Sequence, residues 1–118
     1  EFGKVVCVVV GKLFDVDERT LGLKTKAFTG GDEARLLTEL KSLLDKLEPG
    51  TRLCAHNGKE FDFPYLSRRF LVNGLELPAV LNLAGKRPWE VPHLDTLELW
   101  KFGDYKHYTS LDLLAAIF

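Results

Sequence analysis

Five valines fill the six positions from Val5 to Val10, with only Cys7 between them, and this run fixes what the first part of the chain can become. β-Branched side chains lose rotamer freedom in a helix and pack well on a pleated surface. Lys4–Phe14, KVVCVVVGKLF, therefore reads as a strand buried on at least one face. A strand needs a partner. The polar stretch Asp15–Thr20 reads as a turn, and Leu21–Phe28 alternates as the antiparallel return strand. Val5–Val10 is also the longest apolar run, far short of the ~20 residues a membrane span requires. No membrane partner is expected.

After Gly30-Gly31 the period changes. Leu36, Leu37, Leu40, Leu43, Leu44 and Leu47 recur at steps of three and four, which is one face of an amphipathic helix starting near Asp32 and stopped by Pro49-Gly50. Arg52–His56 (RLCAH) reads as a short buried strand running parallel to a neighbour. A second helix is expected to begin near Asp62–Pro64, where Pro suits a first turn, and to run to Val72, with Asn73-Gly74 as its stop. Glu76–Val91 carries Pro78, Gly85 and Pro88 and reads as irregular connection. His93–Trp100 reads as a strand, Phe102–Tyr108 as a polar-aromatic loop, and Thr109–Asp112 as a capping box opening a last helix. Two hairpin strands followed by helix-strand alternation predict one α/β domain over residues 1–118: a mixed sheet flanked by helices.

Composition adds limits. A 46% hydrophobic and 28% charged chain excludes disorder, and a net charge of −1 singles out no partner. Cys7 and Cys54 are too few and too far apart for a disulfide framework or zinc ribbon; they read as inert core thiols, and a reducing cytoplasm is the expected compartment. No signal peptide is expected. The chain has no methionine, and its last helix ends at Phe118 without a capping residue, so it reads as a piece truncated at both ends.

The densest chemistry lies in HNGKEFDFPYLSRRF, residues 56–70, at the end of a buried strand and the start of a helix. α/β folds place their sites there. Asp62 sits where a helix dipole favours a carboxylate, so by position alone it either caps the helix or serves a site. Ten of the thirteen aromatic residues follow residue 50, together with Arg68-Arg69, Lys86-Arg87, Lys101 and Lys106. Rings and cations of this kind hold single strands. The same stretch carries eight acidic residues against eight basic ones, however, and Trp89 and Trp100 read as packing residues.

HNGKEFDFPYL resembles the second motif of the DEDD 3′–5′ exonucleases, an Asn followed closely by an aromatic-Asp pair. With GKRPWEV and HLDTLELWKFGDY, the chain from about Phe2 to Phe118 is similar to bacterial 3′–5′ exonucleases related to the proofreading domain of family B DNA polymerases. The resemblance implies a ribonuclease H-like fold. It also implies hydrolysis of terminal phosphodiesters, at the 3′ end of nucleic acid, by two Mg²⁺ or Mn²⁺ ions on four acidic residues. Such ions take oxygen ligands and sit about 3.5–4 Å apart. One of the four acids maps here: Asp62 as catalytic metal ligand, with Asn57, Phe61 and Tyr65 lining the substrate cleft. The first motif, Asp-x-Glu, and the third, with its closing Asp, have no counterpart in the chain; Asp15-Val-Asp17 falls in a turn, and Asp95 reads as structural. By this match the intact parent is an exonuclease of 3′ ends, with single-stranded DNA favoured over RNA as substrate, and the 118 residues alone are expected to be inactive. A strand missing from the sheet is expected to leave an open edge that a second copy can fill as a homodimer. The alternative reading is a non-catalytic nucleic-acid-binding or structural domain that keeps the fold.

Overall fold

The computed structural model describes residues 3–118. Phe2, where the resemblance begins, lies outside them. Strand β1 (Cys7–Asp17) pairs antiparallel with β2 (Thr20–Thr29), in a register that sets Val8 opposite Phe28 and Phe14 opposite Gly22. Strand β1 is shifted toward the turn relative to the expected Lys4–Phe14, β2 gains a residue at each end, and the turn shrinks to Glu18-Arg19. Asp17 makes this possible: its carboxylate accepts the Arg19 N–H at 2.9 Å and closes the hairpin locally. That bond also holds its carboxyl below the usual carboxylate range. Both carboxylates of Asp15-Val-Asp17 therefore belong to a solvated hairpin tip.

Helix α1 (Glu33–Leu44) starts where expected. Asp32 caps it by accepting the Arg35 N–H at 3.2 Å, and Leu36, Leu37, Leu40 and Leu44 are buried. They join Val5, Phe28, Phe63, Phe70 and Leu81 in the core. Helix α2 (Asp62–Val72) has the expected bounds and ends on Gly74 at φ 67°, with the Leu75 N–H returning to the Phe70 carbonyl at 2.9 Å. Glu33 ties these parts together. Its buried carboxylate accepts from the Val5 N–H at 2.6 Å, from Arg69 Nη2 at 2.6 Å and from Asn73 Nδ2 at 2.8 Å.

The second half departs from the sequence reading in three places. Of Arg52–His56 only β3 (Cys54–Ala55) is strand, and it pairs parallel with β4 (Leu94–Asp95), as expected for its direction. His93–Trp100 is not one strand: after β4 the chain coils into α3 (Thr96–Lys101) because the Asp95 carboxylate accepts the Leu97 N–H at 3.0 Å and caps a helix. Helix α4 (Leu111–Ile117) is capped by Ser110 rather than Thr109. Short 3₁₀ turns at Ala79–Leu81 and Pro88–Glu90 punctuate the connection between α2 and β4.

The strands thus form two separate pairs, β1–β2 and β3–β4, instead of one continuous sheet. Together with the helices they make a mixed α/β architecture, the class that the sequence predicts. β1 and β3 are not hydrogen-bonded to each other, and a groove of about 1830 Å³ is lined by both. It is lined by Val5–Leu13 on one side, by Leu53–Ala55 and Leu94 on the other, and by Phe61–Phe63 of the α2 start. Cys7 and Cys54 both face it and both are exposed, which corrects their reading as core thiols: neither strand is covered on that side. Among the described residues no helix is long and apolar enough to cross a membrane.

Candidate active site

The loop between β3 and α2 is built by backbone constraint and one buried acid. Asn57 adopts φ 60°, a left-handed conformation rare outside glycine, so the chain turns sharply as it leaves β3. Gly58 follows in a buried position where a Cβ would lie 2.7 Å from the Ala55 Cβ and 3.0 Å from the Phe63 ring. The turn then closes through Phe61 N–H to the Asn57 carbonyl at 3.0 Å and Phe63 N–H to the Gly58 carbonyl at 2.9 Å.

Asp95 holds this loop from below. Only 5% exposed, its carboxylate accepts the N–H groups of Asn57 at 2.8 Å and Lys59 at 3.3 Å, besides capping α3. A buried carboxylate needs such donors to offset its desolvation. Its oxygens are thereby committed to the backbone, in keeping with the structural reading. Lys59 makes a second tie: its Nζ donates to the Glu98 carboxylate at 3.0 Å and to the Pro88 carbonyl at 3.3 Å. His56 and His93 are likewise bound to the frame. His56 Nε2 donates to the Thr109 carbonyl at 2.7 Å and Nδ1 meets the Thr96 hydroxyl at 2.9 Å. His93 Nε2 donates to the Val80 carbonyl at 2.7 Å, and Nδ1 accepts the Leu53 N–H at 3.1 Å.

On this frame stands Asp62, the first residue of α2. It is half-buried, faces the groove, and makes no hydrogen bond among the described residues; the N-cap position is Phe61, without a side-chain bond. It is not a capping residue. Burial raises its carboxyl above the usual carboxylate range, the nearby Asp95 charge adds to the rise, and His56 opposes it. Phe61 and Tyr65 stack beside it, ring centroids 5.4 Å apart and planes 10° from parallel. Asp62, Phe61 and Tyr65 thus share the groove, while Asn57 lines a second cleft with Lys59 and Asp95. Sequence reasoning overlooked Lys59 and Glu98, whose separation in the chain conceals their pairing.

Asp62 is an oxygen donor of the kind that Mg²⁺ or Mn²⁺ accepts. Among the described residues, however, no three His, Cys, Asp or Glu side chains converge into a set able to hold a metal ion. With Asp95 engaged by backbone donors and Asp15 and Asp17 at the hairpin tip, these residues by themselves do not fit a two-ion centre.

Comparison with known families gives a match to RNase_H_2, of the RNase H superfamily, over residues 4–118. No curated protein and no solved structure matches the chain. RNase H-like proteins of the nuclease type are hydrolases that generally use divalent metals and bind nucleic acid, which agrees with an oxygen ligand at the end of a strand beside stacked rings. With 115 residues matched end to end, the chain belongs to the RNase_H_2 family of the RNase H superfamily.

Proposed function

We propose that this chain forms part of a metal-dependent 3′–5′ exonuclease that shortens nucleic acid, single-stranded DNA by preference, from its 3′ end. One observation carries the reading. A half-buried carboxylate, Asp62, stands without a hydrogen bond among the described residues at a helix start beside two stacked aromatic rings. An unpaired carboxylate with a raised pKa is characteristic of a working site. Asp62 would supply one oxygen ligand for Mg²⁺ or Mn²⁺, the other acids coming from chain outside these 118 residues. Phe61 and Tyr65 would hold the terminal nucleotide in the groove, and Asn57 would orient it from the loop.

The test is Asp62→Ala in a longer parent chain, with a 3′-terminal single-stranded oligonucleotide. We expect shortening to be lost while the circular dichroism spectrum is kept; retained shortening refutes the role of Asp62. The 118 residues alone should leave the oligonucleotide intact. The lack of an acid cluster among the described residues favours a second reading, a nucleic-acid-binding domain without chemistry. It predicts strand binding with no metal-dependent cleavage in any parent chain. As a partner we also propose a second copy, paired along the β1 edge that β2 leaves free.

A further inference from the structure

Trp89 does not pack into the protein: it is 74% exposed. The turn that carries it is nonetheless firmly held. The Arg87 N–H donates to the Glu90 carboxylate at 3.1 Å, and Lys59, from the site loop, donates to the Pro88 carbonyl at 3.3 Å. The Arg87 guanidinium lies over the Trp89 ring, 5.3 Å from its centroid. Tyr105, also 74% exposed, repeats the arrangement with Lys101 Nζ 5.5 Å from its ring. Both rings line one cleft of about 360 Å³, and Asn57 lines it too. Known small-ligand pockets run from about 300 to 1,000 Å³, so the cleft has room for one nucleotide. Of the charged residues lining the cleft, Glu98 is paired with Lys59 and Asp95 with backbone N–H groups, which sets Lys86 and Lys101 against Glu60, while Arg87 reaches the site through its place over the Trp89 ring.

We infer that Trp89 and Tyr105 form a stacking platform for the bases of a single-stranded nucleic acid, with Lys86, Arg87 and Lys101 on its phosphates. This rests on the nucleic-acid reading above and extends the bound strand from the Asp62 groove into the second cleft. A base can stack on an exposed ring whatever its sequence, and the ring-cation pairs set a phosphate partner beside each stacking surface. Fixing the turn through Lys59 aligns the platform with the loop that presents Asp62.

The experiment uses the 118-residue chain, fluorescently labelled oligo(dT), and the same strand with abasic positions, without metal. Trp89→Ala should weaken oligo(dT) binding about five- to a hundredfold, and Trp89→Phe should restore most of it. The abasic strand should bind the unaltered chain more weakly by a similar factor, yet bind Trp89→Ala with no further loss. Lys101→Ala should lower the salt dependence by about one phosphate contact. Equal affinity of Trp89→Ala and unaltered chain, with the same preference for bases over abasic sites, overturns the platform and leaves the exonuclease reading standing. Failure of the unaltered chain to bind either strand overturns the platform as well; the exonuclease reading is then judged by Asp62→Ala in the parent.

Discussion

At the scale of single residues, Glu33 shows how a charge can be both buried and stabilising. Arg69 donates two hydrogen bonds to it, Nε at 2.9 Å and Nη2 at 2.6 Å, and Asn73 and the Val5 N–H add theirs. The Arg69 bonds above all lower its pKa from 4.5 to about 2, against the desolvation that would raise it. A carboxyl with a depressed folded value binds a proton more readily when unfolded. Its contribution is therefore complete above the unfolded value of 4.5 and is lost as pH falls through about 2. The shift corresponds to about 3 kcal/mol. Urea unfolding between pH 7 and pH 2 should show stability declining across that window. Glu33→Gln should be less stable at pH 7 and decline less on acidification. An unchanged acid slope in this variant would remove Glu33 as the source. Nothing in the sequence announces this role, because the donors lie 28 to 40 positions away.

Among the elements, a local signal is legible in the sequence where it stands alone and misleads where two local patterns compete. The leucine spacing of α1, its Asp32 cap and the Asn73-Gly74 stop of α2 are short-range signals, and these helices begin where expected, although α1 ends at Leu44, short of Leu47 and the expected Pro49-Gly50 stop. His93–Trp100 also alternates, which suggested a strand, but Asp95 with Glu98 three residues later has the form of a helix start. That signal wins at α3. The motif singles out Asp62 as a candidate, whereas its freedom from capping is visible only in the fold. Asp95 links the two regions, so its variants separate their causes. Asp95→Ala should cost about 2 kcal/mol or more, because it uncaps α3 and releases the Asn57 and Lys59 N–H groups. Asp95→Asn keeps the shape and removes the charge; in it the Asp62 carboxyl, followed by NMR titration, should ionise at lower pH. No movement of the Asp62 titration would mean that the Asp95 charge is too well screened to matter.

For the whole molecule the governing feature is the separation of the two strand pairs. The free edge of β1 carries the Val8–Val10 run without a charge or proline to block pairing, and Val9 is exposed. Such an edge invites another strand, and a two-fold pair of identical edges closes on itself. Sedimentation velocity over rising concentration should therefore show a monomer-dimer equilibrium. Val9→Lys should shift it toward monomer by setting two like charges into the new pairing. A monomer throughout the range would rule out the edge as an interface.

The groove also bears its own chemical reporters. Cys7 stands on one bank and Cys54 on the other, neither in a disulfide and both open to solvent. Whatever comes to lie between β1 and β3 must shade one sulfur or both from an alkylating reagent. The protein thus brings a built-in footprinting pair, and the ratio of the two modification rates tells which bank an occupant leans on, without any label having been introduced.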